Sequence, residues 1–536
     1  MKKRLIILLA AIFSCCSMLS SCGTEDGASH AVSMPTPIVT DPVEYTPPAE
    51  TLATWSEFDV DTSWKETDPL IHLAEDNKQT QWKGAKLYGK DLFIKEPGTY
   101  ILSGKLEGQL YVAVNKEDKV HLVFNGFHVI CGSLSPILLE RADKVVITLV
   151  DGTENIVEDT GKGYSSGSSS GDGRNAGAIH AKMGLTINGT GSLNVKTSYR
   201  HGLVSNSNLR IISGNISINA EEEGLKGKES VAIRGGNISI HSKDDGIKVN
   251  DDQKEGAGFF AMEGGVVSIV TDADGVDVVK NIRIVGGELA VVSKDHGIVT
   301  EGIFSTAAAP IITVDAYSGS TDSNAKGIRA DGNVVIDGGL LCIKRAFEGI
   351  ESKNGSVSIK NGTVEIESSN DGVNAATLLS VEGGTLYVQS LGDCIDSGGN
   401  IHINGGKVIL SGSSSNAYAP MDVPEGCQIL VDGGFLLAYG SLAEVQYPSS
   451  ESSQGVICIT ETIDKESSCA IKDSDGNILC VFTAHDTALT VCFSSEKVVR
   501  GSEYTIFTGV TPVGDATYCV YQIAVNGQAK QTLTAQ

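Results

Sequence analysis

From Gly177 to Ser441 apolar and polar residues alternate in short runs, and the runs recur with a period of about 22 residues. One cycle reads Asp274-Gly275-Val276-Asp277, Ile282-Arg283-Ile284, Gly286-Gly287 and Leu289-Ala290-Val291, and the next opens at His296-Gly297-Ile298. The run after the glycine pair is the cleaner one: Ile238-Ser239-Ile240, Leu341-Cys342-Ile343, Leu386-Tyr387-Val388, Val408-Ile409-Leu410. Alternation at period two predicts strands with one buried face, and the β-branched residues suit them. Gly-Gly or Asn361-Gly362 marks the corner between runs. No amphipathic helical stretch separates the strands, which excludes a βαβ scheme. The pattern predicts an all-β coil of stacked turns, a parallel β-helix of about 11 or more turns and on the order of 50 Å long. A propeller would repeat at about twice this period, and a sandwich would not keep turn residues at fixed offsets. Gly202, Gly224 and Gly246 stand 22 apart, and the longer gap from Gly246 to Gly275 reads as an insertion on one face.

The flanking segments break the pattern. Residues 1–21 read as a lipoprotein signal peptide: Lys2-Lys3-Arg4, an apolar run, then Leu19-Ser20-Ser21-Cys22, with Cys22 as the acceptor for a lipid. Cys15 and Cys16, behind Phe13-Ser14, are poorer acceptors. Residues 22–54, rich in Pro, Thr, Ser and Ala, read as a flexible tether. Residues 55–448 are assigned to the β-helix with an irregular N-terminal cap. Residues 449–536 alternate in another style and are assigned to a small C-terminal β domain, sandwich-like. There Asp473-Ser474-Asp475-Gly476-Asn477 reads as a hairpin turn rather than a calcium loop, because glycine is misplaced for the latter.

Charge narrows the function. The formal net charge is −25, and the chain beyond residue 21 is nearer −28 because the first 21 residues hold three cations and no acid. Such acidity argues against nucleic acid as a partner. Nine cysteines follow Cys22 with no metal-finger spacing. Cys342 takes an outward slot of its run, Cys394 replaces a corner glycine, and disulfides among Cys458, Cys469, Cys480, Cys492 and Cys519 are open.

In stacked turns, equivalent residues stack. The position before the corner glycine reads His201, Glu223, Asp245, Asp274, His296, Lys326, Glu348, Asp371, Asp393. Two carboxylates one rung apart repel by roughly 3 kcal/mol at an effective dielectric of 20. Turn chemistry alone explains an isolated Asp-Gly. A stack with added acids must protonate, splay apart or share a cation, and an oxygen-only set suits Ca²⁺. The candidate metal ligands are Glu223, Asp244, Asp245, Asp274, Asp277, Asp371, Asp393 and Asp396. Lys226 and Lys248 follow the corner; each is read first as an ion pair and second as a base that would take a proton from a uronic acid.

These residues resemble a bacterial family of carbohydrate-binding, polysaccharide-lyase-like lipoproteins built on a calcium-binding parallel β-helix. The resemblance spans about Leu70 to Gly509 and rests on Gly98-Thr99-Tyr100-Ile101-Leu102-Ser103-Gly104, Thr153-Glu154-Asn155, Asp244-Asp245-Gly246-Ile247-Lys248, Asp393-Cys394-Ile395-Asp396-Ser397-Gly398-Gly399-Asn400 and Gly501-Ser502-Glu503-Tyr504-Thr505-Ile506-Phe507-Thr508-Gly509. It implies a right-handed β-helix, Ca²⁺ as cofactor, and a polysaccharide partner, cellulose or an acidic plant polymer. It places the chain on the extracellular face of the cell envelope, held to the membrane by its lipid. His201, His296 and Glu223 stand where the family pattern has Asp, so Asp245/Asp274/Asp277 and Asp371/Asp393/Asp396 are its better-matched ligand sets. The readings that follow are a non-catalytic binder, a calcium-dependent pectate-type lyase using Lys226 or Lys248, or a structural adhesin or spacer. Trp55, Trp64 and Trp82 all precede the repeats, so sugar contacts would fall to Tyr, to Lys248 and Lys280, and to a bridging cation.

Overall fold

The computed structural model describes residues 53–536 except 75–78, 162–175, 318, 320–323, 416 and 443–444. The signal segment, most of the tether and Cys22 lie outside the described residues. Strands dominate, and among the described residues the only helix is the single turn Glu57–Val60.

Each repeat contributes three strand segments, as in Val276–Val278, Asn281–Ile284 and Glu288–Ser293. Every segment pairs in parallel with its counterpart one coil on. Val276 lies opposite Ile298, Ile282 opposite Phe304, and Leu289 opposite Ile312. The corner segments form part of a 16-stranded sheet, and the other two kinds join in a 26-stranded one. They join because the pair of runs is continuous in Phe304–Ala316, Val334–Arg345 and Val357–Ser368. The first residues of the described chain build an irregular start, with antiparallel pairs among Gln81–Trp82, Ala85–Tyr88 and Asp91–Ile94.

Alternation fills the interior. Val276, Val278, Ile282, Ile284, Leu289 and Val291 are all buried and belong to one continuous core running through the coils. The corner glycines are set by close approach. A Cβ on Gly275 would sit 2.2 Å from Val291 Cγ1 and 2.4 Å from the Gly297 carbonyl. The same conflict recurs with Ile218, Ile240, Ile269, Val314, Ile343, Ile366 and Val388, each beside its own coil's corner glycine. Every one of these is β-branched. Cys394 breaks the rule, and the residue register puts opposite Val388 in its coil is Leu410, whose Cβ is unbranched. The cysteine side chain fits where the branch is missing and is fully buried in the core.

The C-terminal residues attach to the coil directly. Phe435–Gly440, from the last coil, pairs antiparallel with Ala488–Ser494, which pairs antiparallel with Val456–Ile463. The remaining strands form a five-stranded antiparallel sheet. The segment shares a core with the coil's outward residues Tyr387, Ile409 and Leu437, which pack with Ile459, Ile471, Phe482 and Phe493. Cys342 takes the outward side of its run, as expected, yet is only 5 % exposed. All nine described cysteines are free thiols. Cys458 and Cys492 face each other across the antiparallel pair with sulfurs 3.4 Å apart.

At the other end, residues 53–61 lie across the outward face of the early coils. Trp55 Nε1 donates to Glu263 at 3.0 Å. Asp59, 1 % exposed, accepts from Lys144 and Thr186, and Asn188 donates to the Asp59 and Asp61 carbonyls.

Candidate functional site: a carboxylate ladder at the coil corners

The corner backbone forms one unbroken chain of hydrogen bonds. The N–H of Gly202 donates to the Glu223 carbonyl, Gly224 to Asp245, Gly246 to Asp274, Gly275 to His296, Gly297 to Lys326, Gly327 to Glu348, Gly349 to Asp371 and Gly372 to Asp393, all at 2.8–3.1 Å. The residue before each corner glycine is therefore held one strand spacing from its counterpart, in the order the spacing predicts.

The ladder is not uniform. Asp245, Asp274 and Asp277 bring carboxylate oxygens within 4.8 Å of one another. Burial first, then repulsion from Asp245, Asp295 and Asp277, pushes Asp274 up to about 7. Burial also raises Asp245, against the pull of Lys248. The Lys248 ammonium bridges this group, 3.0 Å from Asp245 and in close contact with Asp277. Burial alone would lower its proton affinity, but Asp277 and Asp245 outweigh that and raise it. Lys226 pairs with Glu223 at 2.6 Å. Asp244 is exposed beside this group.

Further on, Lys326 and Glu348 form a buried pair at 2.7 Å that divides the ladder in two. Beyond it, Asp371 Oδ1 accepts the Asp393 N–H at 2.9 Å, Asp393 accepts the Ala419 N–H at 2.6 Å, and Asp396 accepts from Asn374 at 3.3 Å. Asp371, Asp393 and Asp396 do not close to the 4.8 Å spacing of the first trio. No Lys or Arg pairs with them among the described residues. Burial and mutual repulsion push Asp393 up to about 7 and Asp396 to about 6.

Two groups escaped the sequence reading: His201 with Glu222 and Glu223, and His296 with Asp274 and Asp295. The signal was present, since both histidines occupy the ladder position one coil from an acid.

The fold and site define an all-β protein of stacked parallel coils that gathers carboxylates along its corners. The family model described as carbohydrate-binding domain-containing protein matches residues 88–372, and the chain belongs to that family. A protein of the same description from Acetivibrio thermocellus is 32 % identical over 225 residues, which is 42 % of this chain and 78 % of that protein. Among solved structures, the gadolinium derivative of a polysaccharide lyase-like protein from C. thermocellum is 28 % identical, with a TM-score of 0.41, covering 46 % of this chain and 97 % of that one.

Proposed function

We propose that this chain is a non-catalytic, extracellular polysaccharide-binding protein, lipid-anchored through Cys22, with Ca²⁺ stabilising a right-handed parallel β-helix. The hand follows the general rule for parallel crossover connections. Carbohydrate binding is supported by family membership. The observation that carries the calcium is the trio Asp245, Asp274 and Asp277, within 4.8 Å and short of countercharge, with Asp274 pushed up to about 7. An all-oxygen set of this kind fits Ca²⁺. Asp371, Asp393 and Asp396 offer the same chemistry one ladder segment on. Glu223 and Asp244 would be peripheral, the first committed to Lys226 and the second exposed. The ion, when bound, supplies positive charge that these carboxylates and an acidic polymer can share. At a net charge near −28 for the exported chain, that bridge is what allows two acidic partners to meet.

The lysines support the non-catalytic reading over a lyase. A base must be free to accept a proton, and Lys248 is held protonated by Asp245 and Asp277. The Lys226 ammonium is paired with Glu223 at 2.6 Å. Pull-down on insoluble cellulose and pectin, with and without a calcium chelator, tests the proposal. Binding that drops in chelator and returns with Ca²⁺ is expected. Binding unchanged by chelator ends the bridging model, absence of binding leaves the spacer, and ultraviolet-absorbing unsaturated products from polygalacturonate would establish the lyase.

A further inference from the structure

The two ladder histidines differ in one respect. His296 Nδ1 accepts the Lys326 N–H at 3.0 Å, so its lone pair is used by the backbone. His201 Nδ1 is buried, and no protein N–H or O–H is directed at it. It faces Glu222 Oε2 at 3.1 Å and Glu223 Oε2 in closer contact. His201 and Glu223 are 8 % and 5 % exposed. A ring nitrogen lone pair against two carboxylate oxygens is repulsive unless a positive centre lies between them. That centre is either a proton on the ring or a metal ion.

We propose that His201, Glu222 and Glu223 form a site for a first-row transition-metal dication of the Zn²⁺ type. Their ligand atoms lie within 4.8 Å of one another. One imidazole nitrogen with two carboxylate oxygens is a donor set that zinc accepts, whereas calcium takes oxygens. Three protein ligands leave a fourth position, and Glu222, with its side chain 39 % exposed, opens that side to water. Lys226 has a place in this arrangement. Its ammonium holds Glu223 Oε1 at 2.6 Å and turns Oε2 toward His201, which makes it a positioning residue for the ligand. The site is distinct from the carbohydrate and calcium readings, which use neither His201 nor Glu222 and leave Glu223 at the edge of the calcium set, paired with Lys226.

The experiment uses the full chain, stripped of metal and then offered Zn²⁺ in a large excess of Ca²⁺ that fills oxygen-only sites. Zinc retained after gel filtration is measured by elemental analysis, and affinity by calorimetry. The expected result is about one zinc ion per chain that His201→Ala fails to retain. His201→Asp keeps an acidic corner but removes the nitrogen, and is expected to bind zinc at least about tenfold more weakly, as is Glu222→Gln. Melting curves of each variant in chelator show whether the coil has folded, and Glu222→Gln, at a half-exposed residue, covers the case in which His201→Ala does not. A parent chain that retains no zinc, or a folded His201→Ala that retains as much as the parent, overturns the site and assigns the positive centre to a proton.

Discussion

Replacing Asp274 by Asn removes one charge from the crowded trio while keeping its backbone bond. Asp274 Oδ1 accepts the His296 N–H at 2.8 Å, and an asparagine oxygen accepts it equally well. Only the charge changes. Burial, and then Asp245, Asp295 and Asp277, raise the folded-state value from the ordinary 3.8 to about 7. An unfolded chain ionises the same carboxyl near 3.8, so between the two values unfolding releases a proton. The stability contribution of this group is whole below about pH 4, declines as pH rises, and is lost above about pH 7. The full gap corresponds to roughly 4 kcal/mol. Solvent at the corner and the sharing of repulsion among several carboxylates bring the expected effect to on the order of 2 kcal/mol.

In chelator at pH 8, Asp274→Asn should therefore be more stable than the parent by about 2 kcal/mol, with the advantage shrinking to nothing toward pH 4. In Ca²⁺ the order should reverse, because the variant has lost a ligand. A stack of coils need not unfold in one step, so a local probe is required. Hydrogen exchange in peptides covering Val276–Val278, corrected for the intrinsic rate at each pH, reads the change where it occurs. A variant no better protected than the parent in chelator at pH 8 would refute the crowding argument, as would an advantage that persists unchanged at pH 4.

Three further outcomes follow from packing and burial. Gly275→Ala, whose Cβ would meet Val291 and the Gly297 carbonyl, should cost about 3 kcal/mol, read by the same exchange probe. Leu410→Ile should restore the branch that Cys394 requires to be absent; it should lower the melting temperature, and Cys394→Gly should relieve it, so that the two changes together cost less than their sum. Asp59 is held at about 2, since bonds from Ser56, Thr186 and Lys144 outweigh its burial. Its roughly 2 kcal/mol is present above the ordinary 3.8 and lost as pH falls through about 2, and Asp59→Asn should expose residues 53–61 to limited proteolysis at neutral pH.

The interior of the coils was legible in the sequence because alternation reports burial directly. Ile282, Ile284, Leu289 and Val291 all point inward where their runs place them. The ladder was legible because a fixed period converts sequence spacing into stacking. What lies on the outside of the coils was harder to read. Trp55 finds Glu263, and Asp59 finds Lys144 and Thr186, across separations that no period relates. The docking of the C-terminal sheet did leave a trace. In register, the outward position of the second run reads Ala290, Thr313, Cys342, Glu365, Tyr387, Ile409, Leu437. Apolar residues enter on the outward side toward the end of the rod, where the shared core forms and where Tyr518 reaches Glu365 at 2.7 Å and stacks on Tyr387. An outward slot that turns apolar along a solenoid signals a covered face.

The two acidic stretches also differ in a way that spacing does not reveal. The first trio is compact but already carries Lys248, so an entering dication must displace an ammonium and gains only the difference in charge and geometry. The second, Asp371, Asp393 and Asp396, is more open and, among the described residues, carries no ion pair, so an ion there competes only with neutral hydrogen bonds from the Asp393 and Ala419 N–H groups and Asn374. Compactness favours the first site and absence of competition favours the second. The decisive quantity is the cost of freeing Lys248. Removing that competition with Lys248→Gln should strengthen calcium binding at Asp245, Asp274 and Asp277 and leave the second stretch unchanged. Site-resolved hydrogen exchange at the two corners, Val276–Val278 and Ile395–Ser397, separates them. Equal strengthening at both would mean that the lysine acts through net charge rather than by occupying the first site.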